Sequence, residues 1–321
     1  MENAVEDLMD LSWGYRTARA LQVANNLDIF TILSDKEMTL EQICQRCNTK
    51  PGKTEKLLIA CTAMGLLGRQ GNGYKNTELA RTYLIKGGDL YQGNMIAHSA
   101  SVWNFWSNLE NEIRVDSVVR DQGDQQADDH RNFIMGMHNI AVTGRAQLFL
   151  DGVDLTGRKK LFDVGGGPGT YSIEACKRYP DLKAVVFDLP ETISITKEII
   201  ANEQMQDWVT VLEGSWDTHD FGKDNDVVLL SDVMHGPDSK AQMKLTKAYN
   251  SMIDGGLLVV QEFLLNNGKT GSLVPALFNI MVGAYSEAEL FSIIEAAGFL
   301  EPKVVIGSER IGSAWVTARK P

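Results

Sequence analysis

Residues 161–176 read LFDVGGGPGTYSIEAC, an apolar run that stops at a cluster of glycines and restarts as a helix-forming stretch. A strand that delivers glycine backbone to the start of a helix is the place where an α/β sheet meets a nucleotide-like ligand. Gly165, Gly166, Gly167 and Gly169 let the main chain approach such a ligand closely, because no Cβ stands in the way. Around this point the chain alternates. KKLFDVG, KAVVFDL, TVLEG, NDVVLLSDV and GLLVVQEF read as five strands with helical stretches between them, the pattern of a parallel sheet covered on both faces. PKVVIGS and SAWVTARK, joined by ERIG, add a terminal hairpin and bring the expected α/β sheet to about seven strands.

The loop separates two classes of ligand. A dinucleotide fingerprint G-x-G-x-x-G begun at Gly165 requires glycine at Thr170, and begun at Gly167 it requires glycine at Ser172, so it fails in both registers. Pro168 also removes an N–H that a pyrophosphate would use. The second strand ends at Asp188 in VVFDLP, where a carboxylate can accept from two ribose hydroxyls, as in both NAD and S-adenosylmethionine sites. A GxGxG loop preceded by an acid, Asp163 to Gly169, fits a ligand without phosphates. The fourth strand runs out at His235, followed by Gly236 and Pro237. A lone histidine at a strand end is ordinarily a packing or capping residue. This one leaves the same carboxyl-end crevice as the glycine loop, which is where a general base would act.

The amino-terminal part reads as helices. Leu8, Leu11, Tyr15, Ala18, Leu21, Ala24 and Leu27 keep a helical period. Thr39-Leu-Glu-Gln42 is a capping-box start for a short helix ending near Cys47, and NTKPGK reads as a turn. A further helix runs from about Thr54 to Met64 with Gly65 as its cap, and GRQGNGYKN makes a hairpin wing. Winged-helix modules often bind DNA, but here the charge argues otherwise. Residues 1–90 hold eleven Lys and Arg against eleven Asp and Glu, so the formal charge of −11 lies wholly downstream. A DNA reader presents a basic stripe to phosphates, so dimerisation or domain packing is expected here, and no nucleic acid. Residues 91–150 form a helical section split by a polar loop over 117–129, with Trp103, Phe105 and Trp106 before it and Met135, Met137 and His138 after it. Such clusters are more often core than ligand wall.

A chain of 321 residues with 44% hydrophobic composition has room for one large core and one smaller one. No apolar run approaches the roughly 20 residues of a membrane helix, and MENAVEDLMD is acidic where a secretion signal would be basic and then apolar. The expectation is a soluble, cytoplasmic protein. Cys44 and Cys47 form a C-x-x-C, but no second pair or nearby histidine completes a metal site, and the spacing places both thiols on one helix face as small buried hydrophobes.

FDVGGGPG, VVFDLP, the histidine after the fourth strand and the winged-helix segment together resemble the S-adenosylmethionine-dependent small-molecule O-methyltransferases, the caffeate, hydroxyindole and polyketide O-methyltransferase group. The likeness covers nearly the whole chain. It implies a class I methyltransferase domain with a Rossmann-like seven-stranded sheet over 151–321, an all-helical winged-helix dimerisation domain over 1–90 that intertwines two subunits, and a linker or substrate cap over 91–150. It implies S-adenosylmethionine as cofactor, with Gly165 and Gly167 lining its methionine part, Asp188 binding its ribose, and Asp163 and Leu189 among the cofactor-binding residues. Gly214, Ser215 and Trp216 fall at the adenine, and Ser231 stands where the family commonly has lysine. The base histidine falls on His235, and Glu262 matches the first of two supporting glutamates. The second falls near Ala284, where Glu287 is more simply a first-turn helix acid behind a Ser286–Glu289 capping box. Where relatives read His-Asp-Trp, this chain reads His235-Gly236-Pro237, which also removes the aspartate of an iron-holding variant.

The leading reading is methyl transfer to a hydroxyl on an aromatic or polyketide-like small molecule, with Trp103, Trp106, Met137, Phe278 and Met281 as a flat apolar substrate wall. N- or C-methylation, or a relative that holds the cofactor without transferring methyl, is a second reading kept open by the altered His-Asp-Trp. A third, of a different class, is a winged-helix regulator that responds to a ligand.

Overall fold

The computed structural model describes residues 2–34, 36–115, 127–236, 239–308 and 312–321. The chain divides into two compact units, Met1–Ile140 and Ala141–Pro321, so the helical section read over 91–150 is shared between them.

In the first unit, Thr39 closes a full capping box with Gln42, its N–H donating to Oε1 at 2.8 Å, and so starts the helix Leu40–Cys47. The next helix begins at Pro51, three residues earlier than expected, because proline at a first helical position needs no N–H and already has helical φ. The wing forms as β2 (Leu67–Gln70) and β3 (Gly73–Asn76), turning at Gly71 with φ +58°. A two-residue strand, β1 (Met38–Thr39), pairs with β3 and makes a sheet of order β1-β3-β2, so helices alone do not describe this unit. Ile29, Phe30, Leu33, Ile43, Leu58 and Tyr74 fill its core. The long helix Glu2–Asn26 buries Ala24 but leaves Val5, Leu8, Leu11, Trp13 and Tyr15 exposed.

The second unit is built on β4 (Lys160–Val164), β5 (Lys183–Asp188), β6 (Val209–Glu213), β7 (Asn225–Ser231), β8 (Met252–Leu265), β9 (Tyr285–Ser286), β10 (Leu300–Ser308) and β11 (Ser313–Arg319). The sheet order is β10-β11-β8-β7-β4-β5-β6, with the short β9 added to β8. β4 through β8 are parallel, and β11 returns antiparallel between β8 and β10. Val227 to Leu230 are completely buried, as a strand covered on both faces requires. Each such side chain contributes about 1.5–3 kcal/mol by leaving water.

What matters for function is where the strand order reverses. β4 pairs with β5 on one side and β7 on the other, with Val164 opposite Leu230. The chains leaving β4 and β7 therefore emerge side by side, at the switch point where such sheets bind ligands. Among the described residues no helix is long and apolar enough to cross a membrane, and no group of three or more His, Cys, Asp or Glu is placed to hold a metal ion. All four cysteines are free thiols.

Candidate active site

The loop leaving β4 places Gly165, Gly167 and Gly169 at φ +63°, +53° and +72°, a region that other residues enter only at a cost. Gly166 is required for a different reason. A Cβ there would lie 2.6 Å from Cγ of Asp163 and 2.8 Å from Val186. Asp163 is buried behind the loop, where Oδ2 accepts from the Ser172 hydroxyl at 2.7 Å. Burial pushes its carboxyl up to about 7 against the lowering effect of Ser172. Asp188, at the end of β5, binds the other side of the loop: Gly167 N–H donates to Oδ2 at 2.8 Å and Leu189 N–H to Oδ1 at 2.7 Å. Gly214 N–H donates to the Asp188 carbonyl at 2.9 Å, which brings the Gly214–Trp216 turn alongside. In that turn Ser215 Oγ accepts from Asp217 N–H, and a Cβ on Gly165 would meet Trp216 Cζ3 at 3.1 Å, so the indole stands against the loop.

Bare glycine backbone, a strand-end carboxylate and an indole on one side of the loop suit the nucleoside of S-adenosylmethionine, whose hydroxyls and flat base can use these groups. The residues present fit the cofactor that the sequence implied.

His235 follows β7. Its Nδ1 lies 3.0 Å from Glu262 Oε2, while Oε1 of the same carboxylate accepts Met234 N–H at 2.7 Å. Glu262 is 1% exposed, and these two bonds hold it in the interior. A carboxylate accepts, so the imidazole proton resides on Nδ1 and Nε2 keeps its lone pair. Burial pulls the imidazole pKa down, but the hydrogen bond and charge of Glu262, joined by the charge of Asp232, outweigh it and hold the group above its ordinary value. Phe263 lies beside the histidine with ring centroids 6.2 Å apart, and Phe278 stacks on Phe263 at 4.0 Å. Phe278 thus lines the histidine's neighbourhood, and half-buried Met281 ends the same helix, Leu273–Met281.

Gly236 accounts for the missing aspartate. It sits at φ +61°, and a Cβ there would lie 2.9 Å from Gly283 Cα. Two backbones cross here, and Tyr285 and Ser239 hydroxyls donate to the Gly236 carbonyl. Pro237 and Asp238 lie outside the described residues. Ser286 and Glu289 form the expected capping box, with Ala284 buried just before it.

Ser231 donates to Gln261 Oε1 at 2.7 Å, and Gln261 donates to Ser313 Oγ at 2.9 Å, so position 231 is tied into a buried polar chain across three strands. In the first unit Trp103 lies 6.5 Å from Tyr15 with the Arg19 guanidinium over its ring, Trp106 packs edge-on against Phe105, and Met137 is half-buried on Ala127–Ile140. Three charged residues of the second unit escaped the sequence reading. Lys244 donates to the Val233 and Ser239 carbonyls and holds its ammonium 4.1 Å from the Trp216 ring; burial pushes its pKa down to about 8. Asp232 and Arg145 pair at 3.6 Å. For Asp232 the available signal was a charged residue directly after an apolar central strand. Arg145 carried none.

A sheet with a glycine loop after its central strand, an acid ending the next strand and a carboxylate-held histidine after its other neighbour defines an α/β methyltransferase. The comparisons agree. The O-methyltransferase domain family matches residues 119–300 and the O-methyltransferase dimerisation domain family matches residues 9–86. The chain belongs to the S-adenosylmethionine-dependent O-methyltransferases. It is 28% identical to the 3-hydroxy-5-methyl-1-naphthoate 3-O-methyltransferase of Streptomyces sahachiroi over 93% of this chain and 90% of that one. It is 27% identical to the acetylserotonin O-methyltransferase of Gallus gallus over 92% of each. The fold is shared with human N-acetylserotonin methyltransferase, solved in complex with SAM, at a TM-score of 0.87, 22% identity and coverage of 99% and 97%.

Proposed function

We propose that the protein methylates a hydroxyl group on an aromatic or polyketide-like small molecule, with His235 as general base. The observation that carries this reading is the His235–Glu262 pair at 3.0 Å, with His235 in the segment that follows β7, the strand next to the one bearing the glycine loop, and Glu262 on β8. Bound S-adenosylmethionine supplies an electrophilic methyl on a positive sulfur and leaves as S-adenosylhomocysteine. Gly165 and Gly167 admit it, Asp188 and Leu189 hold the ribose, and Ser215 and Trp216 face the adenine. Ser231 keeps the floor of the crevice rigid through Gln261. Asp163 fixes the loop from behind through Ser172.

His235 Nε2 takes the hydroxyl proton as the substrate oxygen forms its new bond to carbon. A phenol near pKa ~10 does not ionise fully to an imidazole near ~6.5, so proton and methyl move together, and alignment supplies much of the acceleration. Glu262 keeps the Nδ1 proton in place and stabilises the imidazolium. Phe278 and Met281 supply apolar surface for a flat acceptor. The first unit serves dimerisation of a cytoplasmic enzyme, in keeping with its family match and its balanced charge.

The test is binding followed by turnover. Calorimetry should show S-adenosylhomocysteine binding and no NAD binding; the reverse result sinks the reading. With an acceptor found by screening phenols, His235→Ala should leave adenosylhomocysteine affinity unchanged and lower turnover by roughly 10² to 10⁴. Turnover near wild type in a folded His235→Ala would make this a packing histidine.

A further inference from the structure

Lys244 is a buried charge that this mechanism leaves unused, 3% exposed on the helix Ala241–Ser251. An ammonium in such a place is costly unless its N–H groups are satisfied. Main-chain oxygens satisfy them here: Nζ donates to the Val233 carbonyl and, at 2.8 Å, to the Ser239 carbonyl. The same ammonium lies 4.1 Å from the centroid of the Trp216 ring, close enough for a cation–π contact. Its partners are thus two carbonyls and an indole, where a buried lysine ordinarily meets a carboxylate. A methionine would fill similar space without burying a charge, so the ammonium calls for a reason other than packing.

The two carbonyls flank the base in the chain, Val233 two residues before His235 and Ser239 four after it. Between them the Gly236 carbonyl is already held by the Tyr285 and Ser239 hydroxyls. Two more lysines of the same helix face the turn that carries Trp216. Lys247 donates at 2.8 Å to the Trp216 and His219 carbonyls, and Lys240, at the N-cap, pairs with Asp217 at 2.8 Å. Spacings of four and three turn all three lysines to one side of the helix, and of the three it is Lys244 whose contacts also include the segment of His235. The charges that face Lys244 are Glu262 on β8 and Asp217 in the turn, which favour the ammonium, and Lys240, which opposes it; burial outweighs them and pushes its pKa down to about 8. The group is therefore mostly protonated near neutrality. Its charge acts on His235 and disfavours the imidazolium, the opposite of the effect of Glu262.

We propose that Lys244 is a positioning residue for the reaction, its ammonium clamping the main chain on both sides of His235 to the turn that carries Trp216. The inference rests on His235 as the base assigned above. A displacement of about 1 Å at a reacting group costs on the order of 100-fold in rate, so a clamp on the two carbonyls that flank the base acts on turnover without touching the substrate. The same charge tunes the base: Glu262 raises the affinity of His235 for its proton, and Lys244 limits the rise.

The experiment compares full-length variants by three readouts: the imidazole pKa of His235, followed by NMR in the S-adenosylhomocysteine complex and assigned by its loss in His235→Ala; adenosylhomocysteine affinity; and turnover of the phenol used to test His235→Ala. Lys244→Met, which keeps the apolar stem, should lower turnover about 10- to 100-fold and leave affinity within about fivefold, a single cation–π contact being lost on that side. It should also move the His235 pKa upward, because the opposing charge is gone. Lys244→Arg keeps the charge, so it should return that pKa to the wild-type position and recover part of the turnover. Lys244→Gln keeps an N–H donor without the charge; its His235 pKa should rise as well, and it carries the test if Lys244→Met fails to fold. Uncharged variants that fold and show wild-type turnover, a His235 pKa unmoved or lowered, or affinity and turnover falling in equal measure would overturn the clamp. Wild-type turnover in His235→Ala would instead remove the base on which it stands, whatever the Lys244 variants do.

Discussion

His235 and Glu262 show how one buried carboxylate can set both the place and the proton of an imidazole. The Met234 N–H to Glu262 bond fixes where the chain leaves β7, and the second oxygen fixes which imidazole nitrogen is protonated. Because Glu262 favours the imidazolium, the pKa of His235 lies above its ordinary value, and kcat/KM for the free enzyme should rise with pH through a limb placed above about 6.5. Glu262→Gln removes the negative charge, so the limb should move to lower pH while maximal turnover falls. A limb that stays in place would show that Glu262 does not act on the base. The sign for stability is opposite. A raised histidine pKa stabilises the fold below its unfolded value and loses that contribution as pH rises through the folded one. The Asp188 carboxylate accepts from the Gly167 N–H of the glycine loop and from the Leu189 N–H, and the ribose contact proposed for it would be a second duty. Asp188→Ala should weaken adenosylhomocysteine by at least 1.5–3 kcal/mol, roughly the range for hydrogen bonds to a charged group, and lower the melting temperature of the ligand-free protein as well. Unchanged melting would assign the residue to the ligand alone.

Elements meet at the site through backbone as much as through side chains. The His235–Gly236 turn crosses Gly283, in the segment between the helix Leu273–Met281 and β9, with each glycine leaving no room for a Cβ on the other. Gly236→Ala adds left-handed strain and overpacking, together about 2–5 kcal/mol, and should displace His235 enough to lower turnover. Gly255→Ala is the matched control: its φ is +74° but nothing lies within 4 Å of the added carbon, so only about 1–2 kcal/mol of strain is expected. Thermal unfolding of the two variants compares them directly, and equal losses would mean that the crossing is not tight.

At the scale of the whole molecule, an exposed apolar stretch of helix requires a covering. Val5, Leu8, Leu11, Trp13 and Tyr15 are 49–76% exposed on a 25-residue helix, Glu2–Asn26, most of which, from residue 9 on, is matched by the dimerisation family. Isolated apolar residues on a surface are ordinary, but a run along one helix marks an interface. Light scattering at micromolar concentration should give about twice the 35.5 kDa chain mass, and Leu8→Glu with Leu11→Glu should shift the protein toward monomer while the far-ultraviolet spectrum is retained. A monomeric wild type would count against the dimer.

The sequence by itself determined whatever depends on residues close together in the chain. Strand and helix runs are visible through their periods, the loop through its glycines, the helix starts at Thr39 and Ser286 through their capping boxes, and the wing through its turn. Asp188 was legible because the end of an apolar strand is where a sheet opens. Glu262 was reachable only through likeness to a family, since 27 residues separate it from His235 and no local pattern joins them. Tertiary structure alone decided that β7 lies beside β4, that Gly236 must clear Gly283, and that Arg145 meets Asp232. These facts depend on strand order and register, and therefore on burial summed over the whole sheet. A charged residue after a strand reads the same in sequence whether it faces water or a buried partner. Which of these holds is set by the elements that pack against it.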